Sequence, residues 1–249
     1  MKALVRVAGL LLACGGLSFA AEHAGDHAAH WDYTGQRGPG HWASLDPTFS
    51  ACAGRNQSPV DLGHFIEAEL PPIAFAYKPG GRDFINNGHT VQVDYDPGSS
   101  ISIDGDVFSL KQFHFHAPSE NHIDGKSFPI EAHFVHADAQ GNLAVVAVMF
   151  VQGAPNPALQ TLWSQLPGKP DERHALSPEV AAASLLPAKR DYYRYEGSLT
   201  TPPCSEGVRW LVLKQPVTAS AEQISRLATA LGHPNNRPVQ PIGARVVLK

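Results

Sequence analysis

Two short segments of this chain alternate their side chains with period two, and one face of each carries histidine. In Gln112-Phe113-His114-Phe115-His116 a strand puts Gln112, His114 and His116 on one side and Phe113 and Phe115 on the other. In Glu131-Ala132-His133-Phe134-Val135 the same alternation aligns Glu131, His133 and Val135. If the two strands neighbour one another, a third imidazole comes beside the first two. Thirteen histidines occur in the chain, so a lone His-x-His would be weak evidence of anything. The neighbours carry the argument. Metal-bound imidazoles give their second N–H to an oxygen acceptor, and Gln112 and Glu131 each stand two residues from a candidate ligand on its own face. Such polar rows are costly to bury unless their members bind something together. Three neutral imidazoles suit Zn²⁺ and leave its fourth tetrahedral position open, the arrangement of a catalytic rather than a structural site.

Composition places the site in an exported globular protein. A length of 249 residues with 43% hydrophobic and 17% charged residues fits one large domain. Residues 1–20 read as a secretory signal: Lys2 and Arg6 precede an apolar run from Val7, and Ser18-Phe19-Ala20 offers small residues for cleavage. The apolar run is too short for a transmembrane span. Removing the signal moves the net charge from −4 to −6 with histidines neutral. An acidic balance without a basic patch argues against nucleic acid as a partner. Cys14 lies in the signal, which leaves Cys52 and Cys204 as the one available disulfide pair in a periplasmic or secreted protein. Leu11-Leu12-Ala13-Cys14 also resembles a lipoprotein signal, so a lipid anchor through Cys14 is the alternative localisation.

Residues 21–30 carry His23, His27 and His30 among small and acidic residues, with too little apolar content to pack, and read as a mobile leader. The domain proper is expected over 31–249. Runs rich in β-formers follow, at 90–95, 101–103, 107–116, 130–136, 143–151 and 208–213, punctuated by Gly, Pro, Asn and Asp. Asp96-Pro97-Gly98 and Asp104-Gly105 have hairpin turn chemistry. Helices are few and peripheral. One starts at Asn156-Pro157 with a stripe of Leu159, Leu162, Trp163 and Leu166. Another has Ser220 and Gln223 as a capping box, a stripe of Ile224, Leu227, Ala228 and Leu231, and Gly232 as its stop. The fold class is therefore α+β and β-dominated, a single domain built on a large, twisted, mainly antiparallel sheet. His136 falls on the opposite face from His133 and reads as structural; His122 is a further histidine near the ligand strands.

Three other strings stand beside the histidine strands: Asn56-Gln57-Ser58-Pro59-Val60-Asp61, Asn87-Gly88-His89 and Gly197-Ser198-Leu199-Thr200-Thr201-Pro202-Pro203. In this order they resemble the alpha-class carbonic anhydrases of exported bacterial type, over about 31–249. The resemblance implies a central sheet of about ten strands. It also implies reversible hydration of carbon dioxide to bicarbonate and a proton by a zinc-bound hydroxide on His114, His116 and His133. Thr200 would accept the hydroxide's hydrogen bond and direct its own proton to Glu120. Val135, Val145, Leu199, Val208 and Trp210 would form the apolar wall for the gas, with Thr201 on the polar side. His89 would shuttle protons along water ordered by Tyr33, Asn87 and Gln92. Ala117-Pro118-Ser119 after His116 departs from the Trp-Gly of many relatives, which leaves the ligands alone but can reshape the rim. A homodimer is compatible with the resemblance. A noncatalytic binding module on the same fold is the alternative, and the intact histidines argue against it.

Overall fold

The computed structural model describes residues 29–249. The expected signal at 1–20, Cys14 and the leader up to residue 28 lie outside the described residues. In chain order the strands are β1 (Asp61–Leu62), β2 (Ala74–Ala76), β3 (Gly81–Asn86), β4 (Val91–Tyr95), β5 (Ser100–Ile103), β6 (Asp106–His116), β7 (His122–Ile123), β8 (Ile130–Ala137), β9 (Leu143–Gln152), β10 (Arg173–Ala175), β11 (Tyr192–Ser198), β12 (Glu206–Leu213) and β13 (Val217–Ala219). The α-helices are α1 (Trp42–Leu45), α2 (Pro157–Trp163) and α3 (Ala221–Leu231). Among the described residues no helix is long and apolar enough to cross a membrane.

Eleven strands form one mixed sheet, ordered β10-β3-β4-β6-β8-β9-β12-β11, with β5 beside β6, β2 beside β5, and β13 beside β9. Pairing is antiparallel except where β12 and β13 run parallel to β9. The expected β-dominated, mainly antiparallel sheet is thus present. β6 is long enough to take two neighbours on one edge: β5 pairs with its first part and β4 with residues 112–114, while β8 occupies the other edge. One turn expectation is corrected by this arrangement. Asp104 and Gly105, at φ 55° and 86°, close a true β5–β6 hairpin. Asp96-Pro97-Gly98 instead joins β4 to β5, which follow one another along β6 without pairing together.

The two faces of the sheet differ as the alternation requires. Phe113, Phe115, Ala132, Phe134, Val146, Val148 and Phe150 pack on one side against α2 and α3, whose Leu159, Leu162, Trp163, Leu227 and Leu231 are buried. Asn156 caps α2 by accepting from the N–H groups of Ala158 and Leu159. The capping box of Ser220 and Gln223 is formed, and buried Gln223 also bonds both backbone groups of Asn156, tying the two helices together. The α3 stripe departs from expectation at one position: Ala230 is buried and Ala228 exposed. His136 points into the packed side. Its Nδ1 donates to the Ala144 carbonyl at 3.2 Å, which leaves Nε2 to accept from Tyr77 Oη at 2.7 Å.

Candidate metal centre and catalytic cleft

The second face holds the site. In the β6–β8 ladder His114 stands directly opposite His133, and His116 lies one alternation further along β6. Each of the three can offer one nitrogen to a common point, those atoms lying within 4.8 Å of one another. Of the remaining nitrogens, two are hydrogen-bonded and the third faces a carboxylate. His114 Nδ1 meets Gln112 Oε1 at 2.8 Å, and His116 Nδ1 donates to the Asn235 carbonyl at 2.7 Å. His133 Nε2 lies 2.9 Å from Glu131 Oε1, close but at an angle poor for a hydrogen bond. Elimination leaves His114 Nε2, His116 Nε2 and His133 Nδ1 free to converge. Burial pushes all three imidazoles below their usual range, and their mutual repulsion lowers His114 and His133 further. They are held in the neutral form that a metal requires.

Two carboxyl groups stand beside the imidazoles. Glu120 and Glu131 are fully buried. Glu131 is well satisfied, since its carboxylate accepts from the N–H groups of Glu120 and Asn121 and from Asn121 Nδ2. Glu120 Oε1 accepts from Arg237 N at 2.9 Å, whereas Oε2 is buried without a hydrogen bond, 3.4 Å from an equally unpartnered His116 Nε2. Burial raises Glu120 to about 8, opposed by the Arg237 backbone and by the Thr200 side chain nearby. The Thr200 hydroxyl is thus near enough to favour ionised Glu120, although no hydrogen bond to Oε2 is closed. Orphaned nitrogen, orphaned carboxylate oxygen and three neutral imidazoles fit a bound dication, which would draw Glu120 back toward its charged form.

Two of the sequence strings prove to be one structural unit. Ser58 N donates to Ser198 Oγ and Ser198 N donates to Ser58 Oγ, so the segment 56–61 clamps the end of β11. A Cβ on Gly197 would lie 2.1 Å from Ser58 Oγ, which explains glycine there. Thr201 O accepts from Cys204 N to close the following turn, and Cys204 is bonded to Cys52. The expected disulfide is present. Across three strands Val135, Val145 and Trp210 stand in register, with Val208 in the same buried cluster and Leu199 packed on it. The Trp210 ring also meets His133 edge-on at 4.9 Å, so these apolar side chains adjoin the three histidines.

Tyr33, Asn87, His89, Gln92, His114 and Thr201 share one cleft of about 130 Å³. Larger surface hollows exist, one of about 280 Å³ beside Arg190 and Lys214, but among the described residues none of them holds a group of converging metal-ligating side chains. The donor set, not size, locates the site. Some expected side chains are already engaged: Asn87 Oδ1 accepts from His89 N and Thr90 N, and Gln92 Nε2 donates to Asp94. Trp31 stacks on His89 with ring centres 3.8 Å apart and 10° between planes. Three contributors were not visible as site residues in the sequence. Trp31 carried no motif beyond marking the start of the resemblance. Arg237 acts on Glu120 through its backbone. Asn235 supplies its carbonyl to His116 while its side chain bonds Ala117 N, His89 O and Phe115 O. A backbone acceptor leaves no side-chain signature in the sequence.

Comparison with known proteins agrees with this geometry. The family described as eukaryotic-type carbonic anhydrase matches residues 37–249. A carbonic anhydrase of Pectobacterium carotovorum is 48% identical over 249 residues, covering 100% of both chains. One of Neisseria gonorrhoeae is 46% identical over 242 residues, covering 96% of this chain and 94% of that protein. The solved alpha-carbonic anhydrase of Thermovibrio ammonificans, in complex with the inhibitor sulfanilamide, superposes with a TM-score of 0.88 at 47% identity, covering 90% of this chain and 100% of that one.

Proposed function

Because the chain belongs to the eukaryotic-type, or alpha, carbonic anhydrase family, we propose that it interconverts carbon dioxide and bicarbonate at a zinc ion held by His114, His116 and His133. The observation that carries this reading is the convergence of three neutral imidazoles, each with its other nitrogen facing an oxygen acceptor. Zinc held there would supply a nucleophile from water at neutral pH, chemistry for which carbonic anhydrase is itself the reference case.

The protein's own groups do the rest. Gln112, Glu131 and the Asn235 carbonyl fix the rings, so the free nitrogens need no reorganisation. With its proton directed at Glu120, the Thr200 hydroxyl presents only lone pairs to the cleft, so a species with a proton to donate is oriented there and one without is disfavoured. Val135, Val145, Leu199, Val208 and Trp210 offer carbon dioxide an apolar surface without hydrogen bonds, which suits weak binding and fast release; Thr201 lines the polar side. His89, on the Asn87–Thr90 turn at the cleft's edge, takes the released proton along the path bounded by Tyr33, Asn87 and Gln92. The disulfide is consistent with an exported protein made with a signal at 1–20.

Stopped-flow hydration by purified protein of known metal content tests the proposal. Zinc-loaded protein should accelerate hydration and lose metal and activity together in His114→Ala. Zinc-loaded protein no faster than buffer would refute it.

A further inference from the structure

The Tyr33 ring has two histidines near it, and only one belongs to a recognised string. His89 lies 6.5 Å from Tyr33 and His233 lies 5.9 Å from it, centre to centre. His233 follows the Gly232 cap of α3, in a half-buried position outside every motif of the site. We propose that His233 is a second proton relay, accepting protons from His89 and delivering them to buffer outside the cleft. The proposal rests on the carbonic anhydrase reading and extends its proton path by one residue.

Three features support it. First, the tautomer of His233 is set: Nδ1 lies 3.0 Å from the Pro234 carbonyl, which can only accept, so Nδ1 carries the hydrogen and Nε2 is the bare acceptor. Second, His89 is built to pass a proton on rather than keep it. Burial lowers its affinity for the proton, His30 and His233 repel its charged form, and Asp32 opposes them. The repulsion from His233 also means that the two rings sense each other's charge. Third, His233 stands just beyond the carbonyl end of α3, a place that accommodates positive charge. The charged and titratable groups around the pair are Tyr33, which neighbours both rings, and His30 and Asp32 beside His89; a separate hollow lined by His233, with Ala117, Pro118 and Ile224, has no charged side chain. The step balances. An N–H bond of the His89 imidazolium breaks, one forms at His233 Nε2 through intervening solvent, and the resulting imidazolium yields that proton to a buffer base.

His233→Ala, His89→Ala and the double variant test this in two ways. In dilute buffer His233→Ala should lower kcat roughly two- to fivefold, with kcat/KM for carbon dioxide changed less than about twofold, and added imidazole should restore the rate. In the His89→Ala background the His233 substitution should add little, as expected for groups in series. Independently of activity, NMR titration of the imidazole resonances should show the His89 pKa rising in His233→Ala, because a repelling charge has gone. Unchanged dilute-buffer kcat and an unmoved His89 overturn the relay, as does a loss equal in dilute and concentrated buffer, which marks a structural defect. An inactive zinc-loaded wild type overturns the underlying reading instead, and the titration still reports whether the two histidines are coupled.

Discussion

Replacing both Cys52 and Cys204 by serine isolates what the bridge contributes. The two cysteines are 152 positions apart, so the bridge closes just over two-thirds of the described chain into one loop in the unfolded state. The chain-entropy relation gives about 5 kcal/mol for a loop of that size, and compaction of real unfolded chains makes this an upper bound, with about 2–5 kcal/mol expected. The native turn has other supports. Cys204 N still donates to Thr201 O, Gln57 Nε2 to Cys204 O, and the Arg237 guanidinium to Cys52 O. The effect should therefore fall mainly on the unfolded ensemble. Equilibrium unfolding in urea reads this directly: with a slope of roughly 3 kcal/mol per molar, the midpoint should drop by about 1 M, and the slope itself should rise because the unbridged chain expands further. Native-state hydration activity should survive below the transition. A stability loss under about 1 kcal/mol would refute the entropic account. Lost activity with unchanged stability would show instead that the bridge acts by shaping the Thr200–Thr201 segment.

Two further outcomes follow from the same structure. Glu131→Gln places an amide where a carboxylate faces His133 Nε2 and three donors from Glu120 and Asn121, so zinc affinity measured by chelator competition should fall about 10- to 100-fold, and an unchanged affinity would remove Glu131 from its orienting role. His136 is held neutral, with burial lowering its pKa from 6.5 to about 4, so the unfolded chain takes up the proton first as pH falls. The associated stability is complete above pH 6.5 and is lost between there and about 4, amounting to roughly 3 kcal/mol. His136→Gln should flatten that part of the stability–pH curve relative to wild type in urea titrations, and parallel curves would contradict the assignment.

The parts of the fold legible in sequence are those governed by local periodicity. Alternation at 112–116 and 131–135 places the three candidate ligands with Gln112 and Glu131 on one face because it follows from the extended, pleated backbone alone. Helix caps at Asn156 and Ser220 are equally local. What escaped depends on distant chain or on a broken local pattern. β10 and β13 pair with β3 and β9, far earlier in the chain, whereas β11 pairs with the adjacent β12 but reads Tyr-Tyr-Arg-Tyr-Glu-Gly, with an arginine and a glutamate interrupting the apolar signal. Turn chemistry at Asp96-Pro97-Gly98 announces a reversal but not which strand is met after it. The same limit hides Asn235, whose service to His116 is a carbonyl 119 positions away.

Register links stability to chemistry in this protein. Two neighbouring rows cross the sheet on the site face: Gln112, Val135, Val145 and Trp210 in one, and His114, His133, Ala147 and Val212 in the next. They are one alternation apart, about 7 Å along each strand, so the pleat itself sets the spacing between the proposed apolar wall and the histidine nitrogens. A slip of β8 by a single residue would carry Ala132 and Phe134 into the cleft and bury His133 and Glu131 among Phe113, Phe115 and Phe150. That slip sacrifices the aromatic core and leaves a carboxylate and an imidazole in apolar surroundings, each a multi-kcal/mol cost. The packing that excludes the slipped state is on the far side of the sheet from the reaction, so substitutions at Phe113, Phe115 or Phe134 act on the ligand geometry without touching it.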